Sequence, residues 1–387
     1  MLRFFTAGES HGKGLIAFLE GIPAGLKIDF EFIKKEMKRR RSGYGRGKRS
    51  LSIEKDEIEI ISGIRWGRTI GSPISIFIPN KDYENWKEIL SPYEEYKNEE
   101  LYLTKPRPGH ADLAGALKFL REDLRDILER SSARETAARV VAGAICKLFL
   151  KEFNIEILSF TKEIGGIRAK AFKLPLEEII LKTESSPLRC LDPEAERKMK
   201  IAIDEAKKNG DTLGGIFTVC AYNVPPGLGS NSQWDLKIDG RIAQAMMSIP
   251  GVKGVEIGRG FDGARKKGSQ VHDPIYWSKE KGFYRITNNA GGIEGGITNG
   301  EVIIVRCAMK PIPSLMKPLQ SVDIKTKKSC SAMIVRSDVC VVPSAGVIGE
   351  SMLAYVVADE FIKKFGGDSM KEIKVNYENY LKAIKAF

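Results

Sequence analysis

The chain has 387 residues, of which 42% are hydrophobic and 29% are charged. This composition is typical of a soluble globular protein, and the length suits either one large domain or two smaller ones. No apolar run approaches the roughly 20 residues that a membrane helix needs, and the N-terminus lacks the apolar stretch of a signal peptide. The six cysteines have no metal-ligand spacing, so we interpret them as reduced thiols of a cytoplasmic protein rather than a disulfide framework.

The net charge of +12 is unevenly distributed. Nine basic residues and one acidic residue lie between Lys34 and Arg49, and such a focused patch predicts an anionic partner. Four glycine or serine residues interrupt the second half of this stretch, which predicts a mobile loop that could close over a small polyanion. RNA binding is the alternative, but Tyr44 is the only aromatic residue there and RNA-binding surfaces stack several.

In chain order, strands are expected at 2–7 and 14–20, around a glycine-rich turn that contains Ser10 and His11. The spacing of Gly8, Ser10 and Gly12 matches the nucleophile elbow of serine hydrolases, although no helix follows as that motif requires. A Walker A loop is excluded because its spacing and its hydroxyl residue are both missing. The remaining interpretation is a polar turn that presents Ser10 and His11 to a ligand.

The next predicted elements are a helix at 29–40, strands at 51–62 and 73–78, and a helix and a loop within 80–104. Apolar residues spaced by three and four then predict one amphipathic helix over 113–128, with Asp112 as its N-cap. His110 precedes it, after a Pro-Gly turn. A histidine at such a junction is a candidate general acid, with a structural role as the alternative.

Ser132 and Glu135 have the spacing of a capping box, which predicts that a second helix begins at Ala133. Free N–H groups and a partial positive charge at a helix start favour an anion. Arg130 and Arg134 flank this start and strengthen the prediction of an anion site, while a plain helix cap remains the alternative.

The second half of the chain alternates predicted strands and helices. Strands are expected at 155–167, 212–222, 252–257, 302–309 and 329–335, and helices at 193–208, 237–248, 345–364 and 370–385.

The run 258–263 fits G-x-G-x-x-G, but no apolar helix follows it, which argues against a dinucleotide site. Five glycines within 288–300 predict a loop whose backbone lies against a ligand, with a surface loop as the alternative. Arg336 and Asp338, two apart at a strand end, would point the same way, as a surface ion pair or a ligand-facing pair.

Six motifs together resemble the chorismate synthase family, in the family's order and with near-family spacing over essentially the whole chain. They are Gly8-Glu-Ser-His-Gly12, Arg107-Pro-Gly-His-Ala-Asp112, Arg130-Ser-Ser-Ala-Arg-Glu-Thr136, the glycine-rich run 291–300, Lys310-Pro-Ile-Pro313 and Arg336-Ser-Asp338. The resemblance implies an α+β fold, a β-α-β sandwich with helices packed between two mainly antiparallel sheets, in a single domain over 1–387. It also implies a homotetramer, without a nucleic-acid or membrane partner.

The activity implied by the resemblance is the last step of the shikimate pathway. Phosphate and the C6 proton leave 5-enolpyruvylshikimate 3-phosphate in an anti-1,4-elimination that gives chorismate. Reduced FMN is required without net consumption, and NADPH is a candidate source of its electrons. The resemblance makes His110 the acid for the leaving phosphate, places His11 near flavin N1, and lets Asp338 assist proton removal through flavin N5.

Further site residues follow from the same resemblance. Cofactor contacts are implied for Arg130, Ser131, Ser132, Pro250, Gly251, Gly295, Lys310, Pro311, Ile312, Pro313, Ser314 and Arg336. Binding of substrate or NADP phosphate is implied for Ser10, Arg40, Arg46, Arg49 and Arg134. Many family members have Asn-Ala in place of Pro250-Gly251, which would weaken flavin binding only if the asparagine side chain makes the contact. His272 matches no catalytic motif, and we interpret it as structural.

Overall fold

The computed structural model describes residues 1–47, 57–172, 174–335 and 338–387. These residues form a mixed α+β fold with two larger, antiparallel sheets. Two predicted site residues, Arg49 and Arg336, lie outside the described residues, as does the first half of the strand predicted at 51–62. No described helix is long and apolar enough to cross a membrane.

The strands are numbered along the chain. They are β1 (Arg3–Ala7), β2 (Gly14–Glu20), β3 (Glu59–Ser62), β4 (Ile64–Arg65), β5 (Arg68–Thr69), β6 (Ile74–Pro79), β7 (Glu156–Ile164), β8 (Ile167–Arg168), β9 (Gly215–Tyr222), β10 (Val252–Ile257), β11 (Ile275–Ser278), β12 (Gly282–Arg285), β13 (Ile293–Glu294), β14 (Ile297–Thr298), β15 (Ile303–Met309), β16 (Gln320–Val322) and β17 (Ser329–Ser331).

The helices are numbered in the same way. They are α1 (Phe30–Arg41), α2 (Asp112–Phe119), α3 (Arg125–Ser131), α4 (Thr136–Lys151), α5 (Leu176–Ser185), α6 (Pro193–Lys208), α7 (Ile238–Met247), α8 (Gly260–Ala264), α9 (Val342–Phe365) and α10 (Met370–Ala386).

The first large sheet has the strand order β1-β2-β6-β3, and each neighbouring pair is antiparallel. Strand β6 shows why one face of this sheet turns inward. Ile74, Ile76 and Ile78 alternate along it and are buried, while the residues between them are partly exposed. Because successive side chains of a strand point to opposite faces, this alternation places one face against the core.

The second large sheet has the order β10-β15-β9-β7-β8 and is also antiparallel. Its central strand β9 is buried continuously over residues 217–221, which indicates that both of its faces are covered. Helix α9 packs on one side of this sheet, against β7 and β9. A small second cluster that contains Leu158, Ile179 and Cys220 joins β7, α5 and β9.

Helices α4 and α9 pack closely against each other, and α4 also contacts β2 of the first sheet. Both helices are buried almost all round, as expected for helices enclosed by other elements. Small residues permit the close approach, since a Cβ atom on Gly143 would lie only 2.2 Å from Cβ of Ser351. One hydrophobic cluster includes residues of both sheets and of these helices.

A buried ionic cluster ties α1 to the middle of α9. The Glu350 carboxylate is fully buried and accepts hydrogen bonds from Arg39 at 2.7 and 2.9 Å, from Ser159 at 2.7 Å, from Arg189 at 3.1 Å and from Lys147. Burial alone would raise the pKa of Glu350, but Arg39, Lys147 and Arg189 outweigh it and hold that pKa well below its ordinary value. The cluster therefore fixes the C-terminal turn of α1, which carries the next residue, Arg40.

Three predicted elements were wrong in part. The single helix expected over 113–128 is two helices, α2 and α3, because Leu120 adopts a left-handed conformation with φ 53° and ends α2. The region 80–104 is fully described and holds single 3-10 turns in place of the expected helix. The strand expected over 329–335 is only β17, paired with β16. Helix α5 was not predicted.

Candidate active site

A cavity of about 1060 Å³ lies where loops from several parts of the chain meet. Its walls come from the β1–β2 turn, the end of α1, the loops before α2 and after β15, the α3–α4 junction, and the start of α9. Ligand pockets in proteins are typically about 300–1,000 Å³. The space is therefore sufficient for a cofactor and a small substrate together.

The β1–β2 turn brings Ser10 and His11 to the cavity wall. Two residues that are distant in the sequence hold this turn. The Asn80 amide donates to the carbonyl oxygens of Ser10 at 2.9 Å and Gly12 at 3.1 Å, and the Ser10 N–H donates to the Glu129 carbonyl oxygen at 3.1 Å. A Cβ atom on Gly8 would lie 2.2 Å from the Gly14 carbonyl oxygen, so the turn requires glycine there.

His11 forms a buried pair with Glu129. Its Nδ1 lies 2.9 Å from both carboxylate oxygens, and its backbone N–H donates to Glu129 Oε2 at 2.8 Å. The other ring nitrogen, Nε2, is buried and has no hydrogen-bond partner among the described residues. A buried polar atom of this kind is rare in folded proteins, so Nε2 of His11 is a candidate contact atom for a ligand.

His110 forms a second histidine–carboxylate pair. Its Nδ1 lies 2.5 Å from Asp112 Oδ1 and 3.1 Å from Arg107 Nη2. Asp112 also accepts from Nε of Arg107 at 2.9 Å, and Arg107 Nη1 donates to Ser314 Oγ at 2.7 Å. The prediction that Asp112 caps a helix was wrong, because Ala111 holds the cap position and the Asp112 carboxylate turns back to Arg107 and His110.

The basic residues of the wall include Arg40, Arg46 and Arg134. Arg40 and Arg134 are 4% and 8% exposed, so their guanidinium charges lie largely outside bulk water. Arg46 donates to Asp338 Oδ2 at 2.7 Å, and the Gly47 N–H donates to Asp338 Oδ1 at 2.5 Å. In this arrangement the described part of the basic loop is attached to Asp338, which also lines the cavity.

Most residues expected to contact a cofactor line the same cavity. They are Ser131, Ser132, Pro250, Gly251, Lys310, Pro311, Ile312, Pro313 and Ser314. Ser132 does cap the following turn, since its Oγ accepts from the Arg134 N–H at 3.3 Å. The reciprocal half of the predicted capping box is absent among the described contacts, because Glu135 is bound to Thr6 and Arg139. That turn is a 3-10 turn, and α4 proper begins at Thr136.

Two expected cofactor residues lie away from the cavity wall. The Arg130 guanidinium donates to the Thr6 and Gly8 carbonyl oxygens at 2.8 and 3.1 Å, which ties α3 to β1. Gly295 is exposed at the tip of the β13–β14 hairpin, with no atom within 4 Å of an added Cβ among the described residues. Arg49 and Arg336 lie outside the described residues.

Several residues that line the cavity or hold its lining residues were not found from the sequence. Glu129 and Asn80 act through partners more than 60 positions away, so no local pattern marks them. Arg107 had no predicted role beyond its place in a motif. In the structure Arg107 is 6% exposed and connects the loops 107–112 and 310–314. The one sequence signal for it is its position two residues before a Gly-His pair.

The sequence model of the chorismate synthase family matches residues 2–362. The chain belongs to the chorismate synthase family. Chorismate synthases of Aquifex aeolicus and Geobacter sulfurreducens are 56% and 54% identical to it, over 100% of this chain and 99% and 100% of those proteins. A crystal structure of a chorismate synthase has the same fold, with a TM-score of 0.81 at 48% identity over 100% of this chain and 99% of that one. Chorismate synthases are lyases of the shikimate pathway, and the cavity is the candidate active site of that lyase.

Proposed function

We propose that the cavity binds 5-enolpyruvylshikimate 3-phosphate beside reduced FMN and eliminates phosphate to give chorismate. The observation that supports this most directly is a pair of histidines, His11 and His110, on the walls of one arginine-rich cavity. Each histidine has its Nδ1 beside a buried carboxylate, so each has one remaining ring nitrogen for a ligand. An elimination that releases a phosphate needs both a proton donor and fixed positive charge.

The residues present fit a flavin mononucleotide. Ile249, Pro311, Ile312 and Met309 supply apolar surface for a ring system. The unpartnered Nε2 of His11 supplies a polar atom for the ring edge. When bound, reduced FMN supplies an electron-rich ring that makes removal of the weakly acidic C6 proton feasible.

The substrate carries a phosphate and two carboxylates, and we propose that Arg40, Arg46 and Arg134 neutralise them. Guanidinium groups bind such anions through two parallel hydrogen bonds, and low exposure strengthens the attraction. Ser10 and Ser132 add hydroxyl donors on the same wall. Arg49 and Arg336 stay in the proposal as further cationic residues, on the family resemblance alone.

His110 is the proposed proton donor to the leaving phosphate. Because Nδ1 lies 2.5 Å from Asp112, the proton would be delivered from Nε2. Burial alone would raise the pKa of Asp112, but hydrogen bonds from His110 and Arg107 outweigh it and hold that pKa well below its usual range. The carboxylate therefore stays ionised and can balance a protonated imidazole.

Asp338 is the proposed residue that assists removal of the ring proton of the substrate with the bound cofactor. Its two oxygens are 2.7 Å from Arg46 Nη1 and 2.5 Å from the Gly47 N–H, which orients the carboxylate on the cavity wall. The cofactor contacts expected for Arg130 and Gly295 remain predictions. In the described structure, neither the Arg130 side chain nor the hairpin tip at Gly295 is part of the cavity wall.

We also propose the β-α-β sandwich, the single domain over 1–387, the homotetramer, the use of NADPH as an electron source and a cytoplasmic location. The contacts of α4 with β2 and of α9 with β7 and β9 support the sandwich. One hydrophobic cluster shared by both sheets supports the single domain. The six cysteines are all free thiols, which supports a cytoplasmic location, where thiols stay reduced.

The test is anaerobic. The protein is mixed with 5-enolpyruvylshikimate 3-phosphate and chemically reduced FMN, and phosphate release and chorismate absorbance are followed, with oxidised FMN as the control. We expect release only with reduced FMN. No release with either form of the cofactor would contradict the proposed function, and adding NADPH with oxidised FMN then tests the electron source.

A further inference from the structure

The imidazole ring of His11 is held on two sides. Glu129 of α3 lies at its edge, with both carboxylate oxygens 2.9 Å from Nδ1. The Trp86 ring lies over its face, with ring centroids 4.2 Å apart and an angle of 32° between the planes. Only 11% of the His11 side chain is exposed. A 180° turn of this ring would put a carbon atom in place of Nδ1 at the Glu129 carboxylate and lose the hydrogen bond.

Trp86 is itself held in place. Its Nε1 donates to Asp82 Oδ2 at 3.1 Å, and the Arg125 guanidinium lies 5.3 Å from the centroid of its ring. Stacking of a cation on an indole ring contributes attraction in addition to the hydrogen bond. Because both Asp82 and Arg125 hold Trp86 in place, Trp86 fixes the plane of the His11 ring.

The distances around Nδ1 bear on which group carries the shared proton. Glu129 Oε2 accepts from the His11 backbone N–H at 2.8 Å, so this carboxylate already serves as an acceptor. Both oxygens are the same distance from Nδ1, as expected for one N–H shared between two acceptors. A protonated carboxyl group would instead direct its single O–H from one oxygen. This geometry favours a proton on Nδ1 that Glu129 accepts.

Nε2 is then the only ring atom of His11 left for another partner. It is buried and has no hydrogen-bond partner among the described residues, while His11 lines the cavity. Glu129 differs from most buried carboxylates here, because it forms no ion pair with an arginine or lysine within the described residues. Among the described residues, the His11 side chain is therefore the one that pairs with this carboxylate.

We propose that Glu129 is a positioning residue that holds the proton of His11 on Nδ1 and reserves Nε2 for the ligand of the cavity. An anionic ligand would be met by a proton on Nε2, and the charge of Glu129 balances this second proton on the imidazole. The inference rests on the proposed function in one respect, which is that reduced FMN is this ligand.

The first test uses ¹⁵N NMR of the ligand-free protein with labelled histidine. The chain has only three histidines, so His110→Gln and His272→Gln assign the remaining signals. We expect the wild-type His11 spectrum to show a proton on Nδ1. In Glu129→Ala the preference for Nδ1 should be lost, and in Glu129→Gln it should weaken. A wild-type spectrum with the His11 proton only on Nε2 would overturn the proposal.

The matched control is Glu135→Gln. Glu135 lies in the same segment and is also buried, but its contacts are Thr6, Arg139 and, at 4.0 Å, Arg130, and no described contact joins it to His11. We expect the His11 spectrum of this variant to match the wild type. A change equal to that of Glu129→Gln would mean that any lost carboxylate in this segment perturbs the ring, which would overturn the specific role of Glu129.

The second test measures cofactor binding by anaerobic fluorescence titration. Glu129→Gln should weaken binding of reduced FMN by about 10-fold to 100-fold, the size of a lost hydrogen bond to a charged group. Oxidised FMN, which lacks the negative ring charge, should lose less. Equal losses for both forms would contradict the charge-balancing role. If Glu129→Ala does not fold, Glu129→Gln alone decides both tests.

The two proposals fail separately. If the wild type releases no phosphate, the proposed function fails, while the NMR result still decides whether Glu129 places the proton. If phosphate is released normally but the NMR of His11 shows no dependence on Glu129, only the positioning role is lost.

Discussion

The two histidines of the cavity make the same type of contact in different surroundings. His11 lies 2.9 Å from Glu129, and no arginine or lysine of the described chain pairs with that carboxylate. His110 lies 2.5 Å from Asp112, which also accepts two hydrogen bonds from the Arg107 side chain, at 2.9 and 3.1 Å. Among the described residues, the Glu129 carboxylate pairs with His11 alone, whereas the Asp112 carboxylate is shared between His110 and Arg107.

Because of this difference, we expect Asp112 to stabilise the fold around it, whereas Glu129 acts on one histidine. Asp112 is fully buried and holds Arg107, which in turn binds Ser314 on the opposite loop. Loss of Asp112 would leave a buried guanidinium without its carboxylate, whereas loss of Glu129 leaves no arginine or lysine of the described chain unpaired. We therefore expect the His110 pair to matter for stability and catalysis, and the His11 pair mainly for ligand binding.

The largest effect should come from His110→Ala. Removal of the proposed proton donor should lower turnover by roughly 10²–10⁴-fold, with a smaller change in KM, since the arginines remain to bind substrate. Steady-state kinetics under anaerobic conditions measures both constants. His272→Ala is the control, because His272 is exposed and does not line the cavity. Wild-type turnover in His110→Ala would remove the acid role.

The next effect is on stability. Asp112→Ala should lower the free energy of unfolding by about 3–5 kcal/mol, because it strands a buried charge. Glu129→Ala should cost less, about 1–3 kcal/mol, the usual loss for unsatisfied hydrogen bonds. Urea unfolding of both variants compares their free energies of unfolding directly.

The double variant Asp112→Ala, Arg107→Ala should be less destabilised than the sum of the two single changes. Strict additivity would contradict the pairing of Asp112 with Arg107.

The Asp112 pair also predicts a pH dependence. Its pKa is lowered in the folded protein, while an unfolded aspartate titrates near pH ~3.9. The stabilisation is therefore fully present above that unfolded pKa and is lost as the pH falls below it toward the folded pKa. The difference in unfolding midpoint between wild type and Asp112→Asn should be large at pH 7 and should shrink below about pH 4. A difference that grows in acid would reverse the sign of this argument.

The same comparison shows what the sequence can predict. His11 and His110 were found because glycine and proline turns mark their loops, and the main strands and helices follow from their apolar periods. Glu129 was missed, since 118 positions separate it from His11 and only folding brings the two together. Asp112 was misread as a helix cap because an aspartate before an amphipathic run fits that pattern equally well. Arg130 was chosen for the anion site because it flanks a predicted helix start, and in the structure its guanidinium donates to the Thr6 and Gly8 carbonyl oxygens. Its cofactor contact stays a prediction.

The smallest expected effect concerns Ser314, which is linked to Asp112 through Arg107. Ser314→Ala removes the acceptor for Arg107 Nη1, which lies 2.7 Å from Ser314 Oγ. Arg107 keeps its two side-chain bonds to Asp112, so the free energy of unfolding should fall by only about 1 kcal/mol. Turnover at saturating reduced FMN should fall only slightly, since His110 keeps its bond to Asp112. A loss as large as that of Asp112→Ala would show that the loop contact, and not the carboxylate, holds Arg107 and with it the His110 ring.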